Sequence, residues 1–520
     1  MSKEDAQVGV VPPTYDSEKG AHNSVGNIHE TDNREDDFRT RNGLNLRSFQ
    51  RRDETTVGGE AELDRSMKPR HLQMIAIGGS IGAGFFVGSG SALTKGGPGS
   101  LLICFLIAGV MIFNVVYALG ELAVLYPVSG GFYTYSIRFL DPSWGFAMGW
   151  NYVFQWVIVL PLELTVCSFT VQYWNKEISV AVWITVFWLF IIIINVFGTL
   201  GFAEEEFVSS AFKLIATVIF MVVGLVLICG GGPRVASTTS TGATVSGETP
   251  NGFRGFCSVF VTAAFAFSGT ELVGLAAAES TNPAKALPGA IKQVFWRITL
   301  FYILGLTFVG LLVSSTDDRL LSADNPYSEG IRPKIFTYID RSGRPLPSVV
   351  LNLAFGGLAY VRMVSSGGVI FDWLLSLSGL AALFTWGSIC AAHIRFRSAW
   401  KAQGHTLDEI PFQAIGGVAG SWLGLILVFV SLIAQLFVAI CPPGKDGFAS
   451  AEDFFKAYAA LPVVLFFWAC GYLWKRKGFL KLSQIDLDTG RREVDWPVIH
   501  AHRARVAAWP VWRRWLNTIF

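Results

Sequence analysis

The feature that most restricts the fold of this chain is a series of apolar runs, each about 20 residues long, separated by short polar stretches. A helix of that length crosses the hydrocarbon of a bilayer and satisfies its own backbone hydrogen bonds. Hydrophobic residues make up 52% of the chain and charged residues only 15%, against about 25% in a typical soluble protein. The sequence therefore predicts an all-α, polytopic membrane protein.

Eleven of these runs are predicted membrane spans, and they define three regions. Residues 1–66 are polar without apolar periodicity and predict a disordered N-terminal tail. Residues 67–474 form the transmembrane domain, and 475–520 form a basic C-terminal tail. The predicted spans cover residues 72–93, 99–125, 144–172, 178–198, 207–230, 256–279, 294–314, 346–364, 368–392, 415–441 and 454–474.

Basic residues between the spans predict which loops are cytoplasmic, since cytoplasmic loops carry an excess of lysine and arginine. Lys285 and Lys292 place the N-terminus inside the cell. The loop that carries Arg395, and the basic tail that starts at residue 475, should be cytoplasmic as well. These assignments agree only if the chain crosses once more within residues 315–345, which are polar and hold no apolar run able to cross.

Two explanations of this conflict remain open. The last four spans are inverted against their charge bias, or one span is missing from the chain. Two basic loops and a basic tail all indicate the same orientation of the last four spans, with these segments in the cytoplasm. This agreement favours the missing span over inversion. Both tails are then cytoplasmic once that span is restored.

A glycine-rich stretch interrupts the first predicted span. Residues 78–86 read GGSIGAGFF, with four glycines in seven positions, and glycine weakens a helix. Unwinding there exposes amide N–H groups at the start of a half-helix, whose partial positive charge suits a carboxylate. Close helix packing through small residues is the alternative, and this stretch alone does not decide between them. The predicted donors are the amides of Ile81, Gly82, Ala83 and Gly84.

A second interruption, in the sixth span, favours binding. There the apolar run contains a Ser-Gly-Thr sequence at 268–270, followed by Glu271. Spans one and six hold the same place in two successive five-helix sets, and paired interruptions of this kind mark the substrate site of inverted-repeat transporters. The predicted acceptors for an ammonium group are the carbonyls of Phe265, Ala266 and Ser268. Donors from one break and acceptors from the other suit a zwitterion.

Charged residues inside predicted spans each cost roughly 2.5–3.5 kcal/mol and need a reason, and three of them lie deep enough to be candidates for function. Glu163 has either a functional role or an interhelical hydrogen bond. Lys213 either snorkels to the interface or exchanges a proton during transport. Glu271, beside the second break, is predicted to be functional. The sequence predicts no metal site, no cofactor beyond a proton gradient, no nucleic-acid binding and no enzymatic activity.

Several motifs resemble, in order, those of the fungal amino-acid permeases of the amino acid–polyamine–organocation superfamily. The resemblance covers about residues 65–500 and includes YALGELAVLYPVSGGF, FSGTELVGLAAAES and KIFTYIDRSGRPLPSV. It implies a plasma-membrane symporter that imports amino acids with protons, built from a 5+5 inverted repeat plus two helices. It also implies the same carboxylate and ammonium sites, a proton-linked role for Lys213, and ubiquitin-acceptor lysines such as Lys3 and Lys19.

The chain departs from the family pattern at DNPYSEGIRPKIF, which is continuous in this sequence. The family pattern has roughly fifty more residues within this stretch, including the eighth helix. This helix is the span whose absence the basic residues of the loops indicate. A true deletion and an error in the gene prediction near Asn325–Arg332 both explain the gap. The predicted fold is thus an eleven-span permease with a damaged second repeat. The alternatives are a non-transporting amino-acid sensor and an inactive truncated or mis-spliced permease.

Overall fold

The structure is a computed structural model that describes residues 71, 74, 81–127, 131–174, 177–229, 251–276, 283–312, 346–363, 367–444, 447–476, 478–492 and 496–513. These residues belong to one unit, Phe38–Phe520. Over the described ranges the regular elements are all helical and include no strand, so the predicted all-α class is confirmed.

Nine of the helices that the structure describes lie before residue 315. They are α1 Gly84–Leu125, α2 Gly131–Phe139, α3 Pro142–Gln172, α4 Val180–Val196, α5 Gly198–Ile228, α6 Gly252–Phe267, α7 Leu272–Ala276, α8 Pro283–Arg297 and α9 Gly305–Leu312. The first five residues of α1 are π-helical, and a π-helical stretch, Ile298–Leu304, joins α8 to α9.

The described residues after 345 are helical in the same way. Its helices are α10 Leu346–Phe355, α11 Gly367–Ala402, α12 Gly417–Ile440, α13 Ala451–Tyr458, α14 Ala460–Lys475 and α15 Trp496–Ala507. A 3₁₀ stretch, Gly356–Met363, follows α10. Within the described ranges, seven helical runs are long and apolar enough to cross a membrane, and three shorter helices are also apolar.

Helix α1 contains the last part of the first predicted span and all of the second, joined at a sharp bend. Its 42 residues would form a straight helix about 63 Å long, roughly twice the thickness of the hydrocarbon core. Gly97 has φ 77° and ψ 171°, a conformation that glycine adopts at little cost, and Pro98 follows it. The bend therefore separates spans one and two where the sequence predicts a loop.

The other nine predicted spans also fall on helices. One difference in boundary is at α5, which begins at Gly198 rather than at residue 207. The intervening stretch, GTLGFAEEE, contains glutamate and alanine, which favour helix even though they do not read as membrane-spanning. The N-terminal tail, including Lys3 and Lys19, and the gap region 315–345 lie outside the described residues.

Packing places the two arms of α1 at the centre of the bundle. Helix α1 packs along α6, α3 packs against α11 and α14, and α11 also contacts α6 and α12. The largest fully buried side chains are aromatic and include Trp386, Phe267 and Tyr302. The interrupted segments at the start of α1 and the end of α6 therefore lie inside the protein.

Part of the predicted C-terminal tail packs against one end of the bundle, which we call the tail face. The amide of Leu480 donates to the carbonyl of Leu140 at 3.0 Å, and the amide of Arg492 donates to Leu125 at 3.0 Å. Between these two contacts the side chain of Leu487 is buried. Residues 478–492 are thus an integral part of the folded domain.

A carboxylate on the tail face helps to hold this segment. The backbone N–H of Thr406 and then the side chain of His405 bond to Glu409, and they lower its pKa from 4.5 to about 2. Arg491 of the tail segment lies 3.5 Å from the same carboxylate. Because the pKa is lowered on folding, the small contribution of this solvent-screened carboxylate to stability is present above about pH 4.5 and is lost as the pH falls towards 2.

Candidate functional site

The first helix break lies at the start of α1. The chain is helical at His71 and Met74, non-helical at Ile81 and Gly82, and helical again from Ala83. The amides of Phe85 and Phe86 donate to the carbonyl of Gly82, at 3.0 and 3.1 Å, which starts the second half-helix. The first residues of such a helix have N–H groups without an intrahelical acceptor. The predicted donors at 81–84 therefore occupy a real helix start.

The second break separates α6 from α7. Helix α6 ends at Phe267, Ser268 has φ −57° and ψ 143°, and Gly269 has φ 91°. A positive φ at this position suits glycine because it lacks a Cβ atom. The chain resumes a helix at Leu272. The structure thus interrupts the sixth span at the Ser-Gly-Thr sequence.

The two breaks pack directly against each other. A Cβ atom built on Gly84 would lie 2.5 Å from Cα of Ala266, 2.9 Å from its nitrogen and 3.0 Å from Cδ1 of Phe265. Only a residue without a side chain allows the two backbones to approach this closely. The structure therefore brings the predicted donors of one break beside the predicted acceptors of the other.

Two of the three carbonyls predicted to bind an ammonium group already accept a hydrogen bond within the protein. The carbonyl of Phe265 accepts from the amide of Ser268 at 3.0 Å. The carbonyl of Ala266 accepts from the hydroxyl of Tyr302 at 2.6 Å. Since a carbonyl oxygen has two lone pairs, both groups retain acceptor capacity. A bound ammonium would therefore donate to the second lone pair of each carbonyl while the existing hydrogen bonds remain.

Glu163 and Lys213 both belong to this region. The carboxylate of Glu163 interacts electrostatically with the backbone N–H of Ala83 and with the ammonium of Lys213. A Cβ atom on Gly82 would lie 3.8 Å from Oε1 of Glu163. The ammonium of Lys213 lies 3.5 Å from Oε1 of Glu206. The structure therefore joins the first break to a carboxylate of α3 and an amine of α5.

Glu271 is fully buried beside the second break. Its Oε1 lies 3.4 Å from the amide of Gly269, and its Oε2 accepts from Nε1 of Trp386 at 3.2 Å. These contacts tie the break to α11. They show how the cost of placing this carboxylate inside the protein is offset.

Sequence reasoning missed the side chains that support the breaks. Gln155 of α3 donates to the hydroxyl of Ser268 at 2.7 Å, and Tyr302 and Trp386 hold Ala266 and Glu271. Gln155 was detectable, because a polar amide inside a span needs a hydrogen-bond partner. Tyrosine and tryptophan are common in spans, so nothing in their sequence context distinguishes Tyr302 and Trp386.

Polar contacts close the bundle on the side opposite the tail face. Nζ of Lys95, at the end of the first arm of α1, lies 2.7 Å from Oδ2 of Asp372 at the start of α11. The hydroxyl of Ser91 donates to the other oxygen of Asp372 at 3.2 Å. Lys95 is eleven residues beyond Gly84, or about 17 Å along the helix. This contact therefore joins α1 to α11 well away from the breaks.

A buried charged cluster lies towards the tail face. Oε1 of Glu121 lies 3.1 Å from Nε2 of His393 and 2.5 Å from Nε of Arg397. Its other oxygen accepts from Arg397 at 2.8 Å and from the amide of Ala414 at 2.7 Å. The side chains of Glu121 and His393 are fully buried. The cluster links α1 to α11 and to the loop before α12.

Comparison with known proteins decides the family. The family model for amino acid permeases matches residues 71–329 and 326–484. The chain belongs to the amino acid permease family. The resemblance seen in the sequence motifs is thereby confirmed.

Relatives of this permease come from several fungi. It is 59% identical to the amino-acid permease inda1 of Hypocrea atroviridis, over 92% of this chain and 93% of that protein. It is 45% identical to the general amino-acid permease GAP1 of Saccharomyces cerevisiae, over 89% of this chain and 86% of that protein. A solved manganese transporter of Eremococcus coleocola covers 78% of this chain and 93% of its own, at 12% identity and a TM-score of 0.44.

The same comparisons reveal an internal gap in this permease. The alignment with inda1 has 536 positions but includes only 92% of the 520 residues, so roughly 58 positions have no residue here. The alignment with GAP1 has 523 positions and includes 89%, which leaves roughly 60. The family match is divided at residues 326–329, within the stretch where the sequence predicts the missing segment.

Proposed function

We propose that this permease imports amino acids across the plasma membrane by proton symport. The observation that carries the proposal is the direct packing of the two helix breaks at Gly84 and Ala266. Membership of the amino acid permease family supports the same class of substrate. The N-terminal tail is then cytoplasmic, with Lys3 and Lys19 as ubiquitin acceptors, and the C-terminal tail is cytoplasmic as well once the missing span is restored.

The binding mode follows from the backbone chemistry of the two breaks. The carboxylate of the amino acid accepts from the amides of residues 81–84, where the helix start favours negative charge. The ammonium group donates to the carbonyls of Phe265, Ala266 and Ser268. Because both sites use main-chain atoms, they recognise what all amino acids share and leave the side chain of the substrate to other groups.

Alternating access requires the contacts on each side of the breaks to open in turn. The Lys95–Asp372 ion pair lies on the side opposite the tail face, which is the outer side in the proposed orientation. Substrate enters after this contact separates, and it leaves towards the tail face. Proton movement uses Glu163 and Glu271, which lie beside the breaks, and Lys213, which interacts electrostatically with Glu163.

A second function is favoured by the internal gap. A chain that lacks roughly 58 aligned positions, within which the family pattern places the eighth helix, could bind amino acids without moving them and so act as a sensor. Uptake separates the two functions: a transporter accumulates labelled amino acid inside cells, whereas a sensor binds it without accumulation.

Replacing Lys213 by methionine tests the proton-coupled function. We expect cells that express the wild-type chain to concentrate labelled amino acid, and the inside-to-outside ratio of the Lys213→Met variant to fall towards equality. The reason is that methionine keeps the length of the side chain but carries no exchangeable proton. Lys401→Met is the matched control, because Lys401 is exposed at the end of α11.

The outcomes of this experiment are distinct. Wild-type accumulation that collapses with a protonophore supports symport, and retained accumulation by Lys401→Met shows that loss of a lysine alone is harmless. Unchanged concentrative uptake by Lys213→Met would remove Lys213 from the coupling mechanism. Absence of uptake by the wild-type chain, together with specific binding, would favour the sensor.

A further inference from the structure

The carboxylate of Glu163 lies beside the place where the substrate carboxylate is proposed to bind. Its Oε1 lies 3.8 Å from a Cβ position on Gly82, and the carboxylate interacts electrostatically with the amide of Ala83, the first helical residue after the break. An anion at a helix start is stabilised by the exposed N–H groups and by the partial positive charge there. The protein thus supplies its own anion to this helix start.

Two carboxylates cannot share this position while both are ionised. Like charges a few ångströms apart repel strongly where water is excluded, and the N–H groups that both would use are the same. A protonated carboxyl is a weaker acceptor than a carboxylate, because charge-assisted hydrogen bonds are about twice as strong. Protonation of Glu163 therefore weakens its hold on the helix start.

The surroundings of Glu163 contain few other ionisable groups among the residues that the structure describes. Lys213 faces it from α5, and Cys167 lies one turn along α3. Lys213 is itself held by Glu206, at 3.5 Å. When Glu163 takes up a proton, Glu206 remains to balance the charge of Lys213, so the lysine does not require Glu163 to stay ionised.

We propose that Glu163 is an internal competitor for the substrate carboxylate, and that its protonation vacates the helix start for the amino acid. This inference rests on the proposed function. It makes proton and substrate binding mutually dependent: one proton is taken up by Glu163 when one amino acid binds, and return of Glu163 to the helix start expels both. By thermodynamic linkage, protonation of Glu163 raises the affinity for the amino acid by the same factor by which the bound amino acid raises the affinity of Glu163 for the proton.

Equilibrium binding at different pH values tests this competition. The full-length protein is purified in detergent, and binding of the tightest-bound labelled L-amino acid is measured between about pH 5 and pH 8. In the wild type we expect the apparent Kd to rise with pH, by up to about tenfold per unit where one proton is taken up. In Glu163→Gln, which is neutral at every pH, we expect tight binding without this dependence.

Transport adds a second readout for the same variant. Glu163→Gln should still exchange labelled for unlabelled amino acid across a membrane, but should no longer concentrate it in response to a proton gradient. Glu409→Gln is the control, because this carboxylate lies on the tail face, far along the chain from the breaks, and should keep the wild-type pH dependence. A thermal melt establishes that each variant is folded.

Each outcome decides a different claim. A folded Glu163→Gln that keeps the wild-type pH dependence would overturn the competition and assign the proton to another group. A folded Glu163→Gln that binds no amino acid at any pH would show that Glu163 is a required ligand, which also overturns it. If the wild type binds no amino acid, the proposed function itself fails.

Discussion

Replacing Gly84 by alanine is expected to reduce both amino-acid binding and uptake by roughly 5- to 150-fold. The added methyl group would lie 2.5 Å from Cα of Ala266, so backbone rather than a flexible side chain has to move. Overpacking of this kind costs about 1–3 kcal/mol, and 1.4 kcal/mol corresponds to a factor of ten. The variant would separate the two breaks without changing any charge.

Controls on the same helix make this prediction specific. Gly99→Ala adds a methyl group where nothing lies within 4 Å and should leave uptake unchanged. Gly82→Ala should be tolerated sterically, because its nearest neighbour would be Oε1 of Glu163 at 3.8 Å. Labelled uptake and binding to the purified protein are the measurements. Wild-type values for Gly84→Ala would contradict the close approach of the two breaks.

Loss of the Glu121 carboxylate is expected to produce the largest loss of stability. Glu121→Gln leaves the positive charge of Arg397 buried with a neutral partner, and Glu121→Ala leaves it with none. Breaking a buried ion pair by removing one partner costs about 3–5 kcal/mol. We therefore expect both variants to unfold at a clearly lower temperature, with the alanine variant the less stable.

A thermal melt of the detergent-solubilised protein measures this effect. The control is Glu409→Gln, which removes a carboxylate whose side chain is 36% exposed. Exposed ion pairs contribute about 0–1 kcal/mol, so its melting temperature should stay near that of the wild type. Equal melting temperatures for Glu121→Ala and the wild type would show that the buried cluster does not stabilise the fold.

The spans and the helix breaks could be predicted because their signals are local. A run of about 20 apolar residues and a cluster of glycines depend only on neighbouring positions. The bend at Gly97 likewise follows from a Gly-Pro pair between two runs. These features are dictated by the bilayer, which leaves few structures open to such a sequence.

Contacts between distant residues could not be predicted in this way. Glu121 and Arg397 are 276 residues apart, and Gln155 and Ser268 are 113 apart. Each pair depends on how α1, α3, α6 and α11 pack, which no local pattern specifies. The position of Glu163 at the helix start has the same origin, since α3 must bring it to α1.

Competition by substrate analogues tests the central claim most directly. Four compounds with the same side chain are compared as inhibitors of labelled amino-acid binding: the free amino acid, its amide, its N-acetyl derivative and the amine without the carboxylate. If main-chain groups of the two breaks bind opposite ends of a zwitterion, only the free amino acid should compete well. Strong competition by the amide or by the N-acetyl derivative would contradict the account.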